Sequence, residues 1–178
     1  MNPLADLIAR FQELVAQVPE FIQPFIVMLA AAIPFIEGEV GAMIGVFGGI
    51  NPFVAAAAAL IGNFVSVVGV VAVSSRAREF AVARRTGTGT DVLTEERPEP
   101  QKPQSKGRQR FARWVVRFGV PGASILGPLA IPTQFTSAML VASGTPKGWV
   151  LLWQGIAIVL WTTLATILAW LGLAVLAV

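Results

Sequence analysis

Residues 30–41 read AAAIPFIEGEVG and set two carboxylates, Glu37 and Glu39, one residue apart in an otherwise apolar run. An acid at the centre of a bilayer costs roughly 2.5–3.5 kcal/mol on insertion scales, so such residues mark function by default. A carboxyl there can hold a proton or pair with a cation, but not both at once. That is the chemistry of proton–cation exchange, with Glu39 as the expected exchanging group and Glu37 assisting. A second polar set, Thr133, Gln134, Thr136 and Ser137, follows Pro132 in the stretch IPTQFTS. Asn63 and Gln154 are amides inside long apolar runs. Other roles stay open: the acids as caps of a half-helix N-terminus, or paired with Arg113 or Arg117. The hydroxyls can satisfy backbone groups freed by a helix break, and the two amides can join helices.

The absence of Cys, His and Tyr narrows the chemistry further. Disulfides, imidazole or thiolate metal sites, and Cys or Ser–His nucleophiles are excluded. No metal site and no cofactor is expected, only the proton as coupling ion, and the chain does not read as an enzyme.

The elements that must position these groups are membrane helices. Of 178 residues, 55% are hydrophobic and 13% charged, against about a quarter charged in a soluble domain. Residues 52–73 and 149–171 are uninterrupted apolar runs, each long enough to cross a bilayer core of about 30 Å. Trp149 and Trp170 lie near the ends of the second run, as an aromatic belt places them. Residues 21–50 and 119–146 are apolar too, but are broken into short arms by Pro34 with Gly38 and Gly41, and by Pro132. Each is expected to be a re-entrant hairpin, the four named residues acting as its helix breakers. Residues 1–20 hold an amphipathic helix, lying in the membrane interface or packed on the rest of the protein.

Residues 76–117 hold eleven of the thirteen basic residues and five acids. Flanked by apolar segments and poor in aromatics, this reads as a positive-inside cytoplasmic loop rather than a nucleic-acid surface. Its last part, 108–118, has the pattern of a basic interfacial helix. A cytoplasmic loop makes helix 52–73 run inward and 149–171 run outward.

The halves also repeat. AIP (32–34), AMI (42–44) and GGINP (48–52) are answered by AIP (130–132), AML (138–140) and GTP (144–146). With opposite helix directions, the expected fold is an all-α integral membrane protein built as an inverted-topology repeat. Each repeat, 21–75 and 118–178, is a re-entrant hairpin plus a transmembrane helix. The polar hairpin tips should face one another and share one cavity, because irregular backbone at that depth must be buried in protein or line water.

RFARWVVRFGVPGASILGPLAIPTQFTSAMLVASGTPKGWVLLWQ (110–154) and IEGEVGAMIG (36–45) resemble the DedA-like, or VTT-domain, superfamily, and within it the small multidrug export proteins. Gly38 and Glu39 fall where that family has a Gly-Glu pair. The resemblance implies a bacterial cytoplasmic membrane and export of small molecules. DedA proteins carry arginines three residues either side of the second proline, where this chain has Leu129 and Phe135. That departure turns the expectation from a polyprenyl-phosphate or phospholipid flippase toward a proton-coupled exporter of small cationic or amphipathic compounds. A non-transporting membrane scaffold is the remaining alternative. Membrane lipids and a second copy of the chain are the expected partners.

Overall fold

Prolines and glycines cut this chain into helices of two lengths. The computed structural model describes residues 12, 13, 15–87 and 119–176, the side chains of 85–87 excepted, and all regular structure among them is helical. Short helices α1 (Gln23–Ala31), α2 (Glu37–Phe47), α4 (119–126) and α5 (Thr133–Ala142) accompany two long ones, α3 (Pro52–Gly87) and α6 (Lys147–Leu176). A 3-10 turn, Gly127–Leu129, follows α4. The amphipathic helix expected within 1–20 falls mostly outside the described residues, although 12, 13, 15 and 16 are helical. The helix expected over 108–118, with Arg113 and Arg117, lies outside them.

Both long helices are long and apolar enough to cross a membrane. Only 39% and 33% of their most apolar windows are buried within the protein, so most of that surface faces outward. Phe53, Val65, Val73, Leu168 and Val175 are all exposed, far more apolar surface than a soluble monomer usually presents. The two helices run antiparallel. Lys147, at the start of α6, bonds Glu79 far along α3, while Ala55 and Ala169 share a cluster at the other end.

The long helices overrun the expected spans. α3 passes residue 73 and carries Arg76, Arg78 and Arg84 before ending at Gly87. Residues 74–86 contain neither Pro nor Gly, and Ala, Arg and Glu favour helix. The charges end the apolar stretch without ending the helix. α6 likewise occupies Lys147–Leu176 rather than 149–171.

Pro34 lies in the turn between α1 and α2, and Pro132 stands immediately before α5. Gly38 and Gly41 do not break a helix; both lie inside α2. Their task is close approach, and with Gly45 they let α2 sink among three neighbours. A Cβ on Gly38 would collide with Thr162 Oγ1 of α6. One on Gly41 would lie 2.8 Å from Ala31 Cβ of α1, and one on Gly45 2.7 Å from Ala55 Cβ of α3. Small residues at such contacts are how membrane helices pack backbone to backbone.

α2 and α5 each pack against both long helices. Val67 and Val71 of α3, Leu140 of α5, and Val150 and Ile158 of α6 form one apolar cluster. Val27, Ala31, Ala42 and Ala59 tie α1 and α2 to α3 in another.

Candidate functional site

α5 begins without a cap of its own. Pro132 turns the chain into the helix with φ −50° and ψ 144°, and no side chain of that segment accepts from the first N–H groups. The acceptor comes from the other half of the chain. Glu37 Oε1 accepts the Thr133 backbone N–H and the Thr133 hydroxyl, both at 2.6 Å. With Glu37 ionised, these bonds are charge-assisted and about twice as strong as neutral ones. The positive end of the α5 dipole adds to them.

Around this clasp lies a small polar network. Asn63 Oδ1 of α3 is 3.2 Å from Thr133 Oγ1 and 3.3 Å from Gln134 Nε2, whose amide donates to it. The single Thr133 hydroxyl proton goes to the nearer acceptor, Glu37. Ser137 donates back to the Thr133 carbonyl at 2.7 Å. Ser66 of α3 donates to the Ala32 carbonyl at 2.9 Å, satisfying a group left open where α1 ends before Pro34. Trp161 of α6 does the same for the Ile125 carbonyl, at 2.8 Å.

The backbone that presents Glu37 is unusual. Phe35 and Glu37 have φ of +74° and +53°, a region non-glycine residues rarely occupy and that costs on the order of 1–3 kcal/mol each. The clasp is also closed: Glu37 is 5% exposed, Gln134 2%, and Asn63 and Thr133 fully buried. The segments that follow Pro34 and Pro132 therefore touch directly instead of flanking an open cavity.

No protein family, curated protein or solved structure matches this chain.

The sequence-derived site residues divide in two. Glu37, Asn63, Thr133 and Gln134 form the network, and Ser137 closes onto its backbone. Glu39 does not join it; it is half-buried, and its buried Oε1 has no hydrogen-bond partner among the described residues. Thr136 sits against Gly127, its hydroxyl unpaired. Gln154 is fully buried and neither of its amide atoms has a partner among the described residues. Its neighbours one turn away on α6, Val150 and Ile158, belong to the apolar cluster. Ser66, Thr162 and the left-handed Phe35 were not singled out from the sequence, since a lone hydroxyl or an ordinary Phe carries no local signal.

The tips also meet in a reciprocal way. Superposing the two AIP stretches pairs Glu37 with Phe135 and Phe35 with Thr133. Glu37 touches Thr133, and its exchanged counterpart pair, Phe35 and Phe135, is likewise in contact with ring centroids 6.0 Å apart. One pair is polar and the other aromatic.

Proposed function

We propose that the chain is a small secondary transporter of a bacterial cytoplasmic membrane, exchanging protons for small cationic or amphipathic compounds, with Glu37 as the exchanging carboxylate. The observation that carries this reading is the buried clasp of Glu37 on the N-terminus of α5. It puts an ionisable group where two short helices meet between two apolar ones, the place where secondary transporters bind their ions and substrates. At 1.5 Å per residue α2 and α5 are each only about 15 Å long, half of a bilayer core. Those lengths, the antiparallel long helices and the reciprocal tip contacts support an inverted repeat of re-entrant hairpins. The loop 76–117 is then cytoplasmic.

The chemistry follows from the clasp. A charged Glu37 holds α5 through two charge-assisted bonds. Protonation weakens both and frees the tip of α5 to part from α2. A cation arriving at the opened site replaces the proton, and the two occupants exclude each other. Glu39, beside the site with an unpartnered oxygen, would steer the cation. An acid without a hairpin arginine suits a cation better than a lipid phosphate. Two long helices and two hairpins are few to enclose a pathway, so the working unit is proposed as a homodimer.

The test uses proteoliposomes and ethidium as the cationic probe. An imposed pH gradient should drive its movement by the wild type and not by Glu37→Gln, whose amide oxygen still accepts both Thr133 bonds. Equal gradient-driven flux in the two proteins would overturn the proposal.

A further inference from the structure

We propose that the outer face between α3 and α6 is a binding site for an anionic phospholipid, with the headgroup at Arg76 and Lys147 and an acyl chain running toward Phe64 and Gly155. The chain-binding part is an apolar groove of about 740 Å³ whose walls include Ile61 and Phe64 of α3 and Leu152 and Ile156 of α6. Ligand pockets span roughly 300–1,000 Å³. Gly155 forms part of its floor; a Cβ there would stand 3.3 Å from the Phe64 ring. Leu151 also lines a smaller cavity of about 280 Å³ with Ser75, Arg76, Glu79 and Lys147. The shared Leu151, and Val68 one turn beyond Phe64, make the two cavities one track along the same pair of helices.

Charge selects the occupant. Arg76, Arg78 and Lys147 outnumber Glu79 at this end of the helices, and Glu79 already pairs with Lys147 at 2.8 Å. Basic pockets between membrane helices on the cytoplasmic side take acidic headgroups. A cationic amphiphile would be repelled. Depth fits as well. From Arg76 to Phe64 is twelve residues, about 18 Å along the helix, slightly more than half of a bilayer core. A headgroup at Arg76 therefore places its chain end near the membrane centre, beside Gly155. The inference rests on the chain lying in a membrane but not on transport through Glu37, so Glu37→Gln should leave it untouched.

The test titrates the full chain, in a neutral maltoside detergent, with dioleoyl phosphatidylglycerol or dioleoyl phosphatidylcholine and reads bound lipid by native mass spectrometry. Two basic residues at a lipid surface are worth roughly thirtyfold in affinity, so the wild type should prefer the glycerol lipid by about that factor. Arg76→Gln with Lys147→Gln should bring the ratio close to one. Gly155→Leu, which fills the groove, should weaken both lipids alike. Equal affinity of the wild type for the two lipids would overturn the proposal, as would displacement of the lipid by inorganic phosphate alone. A Gly155→Leu protein that loses a dimer yet keeps its lipid would assign the groove to a second copy instead.

Discussion

Glu37 serves two elements at once: it opens α2 and caps α5. Removing its carboxyl strands the buried Thr133 backbone N–H, at about 1–3 kcal/mol for an unsatisfied buried group, and leaves the Thr133 hydroxyl only its longer contact to Asn63 Oδ1 at 3.2 Å. Glu37→Ala should therefore lower the thermal unfolding midpoint markedly in detergent, and Glu37→Gln, which keeps both acceptor contacts without the charge, should fall between it and the wild type. A Glu37→Ala midpoint equal to that of the Gln variant would mean the two bonds contribute nothing. The neighbouring glycine gives an independent check. Gly38→Ala drives a Cβ into Thr162 Oγ1, a clash of the kind that costs about 1–3 kcal/mol in a packed interior. Thr162→Ala removes that oxygen, which has no hydrogen bond to lose. The double variant should recover much of the midpoint lost by Gly38→Ala, and failure to recover would place the cost elsewhere.

Helix α3 carries the plainest evidence that glycine spacing sets the packing. A Cβ on Gly62 would overlap the Met28 backbone carbonyl of α1, whereas one on Gly69 meets nothing within 4 Å. Backbone cannot swing aside as a side chain can. Gly62→Ala should thus destabilise by about 1–3 kcal/mol, and Gly69→Ala should be neutral or slightly favourable by helix propensity. Parallel unfolding curves of the two variants decide it; equal effects would refute the α1–α3 contact. The two long helices were legible in the sequence because an unbroken apolar run of that length suits few structures besides a spanning helix. The end of α3 was placed too early because the edge of an apolar stretch and the end of a helix are separate physical events. Pro34 and Pro132 announced the breaks. The choice between the two acids was not legible. Two residues along a helix differ by about 200° of rotation, so only one of Glu37 and Glu39 can face α5, and which one depends on the left-handed turn at Phe35. No ordinary residue advertises that turn.

The two halves differ most where they meet. The contact reciprocal to Glu37–Thr133 is Phe35–Phe135, so the matched positions of the two halves carry an acid on one side only. Reciprocal contacts are what a two-fold relation between the halves would give, and the antiparallel run of α3 and α6 suits an axis lying across those helices, as in the proposed opposed halves. In the proposed architecture the turns that precede the two long helices open on opposite sides of the membrane. Asn51, before α3, and Ser143, shortly before α6, are both exposed. The chain contains no cysteine, so one introduced thiol reports its own location without background. With the basic loop inside, Asn51→Cys should react with a membrane-impermeant maleimide on intact cells. Ser143→Cys should react only after the membrane is permeabilised, and Lys102→Cys, in the loop itself, should behave as Ser143→Cys does. Labelling of Asn51→Cys and Ser143→Cys from the same side would rule out opposed halves and with them alternating access about the Glu37 clasp. Labelling of Lys102→Cys on intact cells, with Asn51→Cys protected, would instead keep the inverted architecture and reverse its orientation in the membrane.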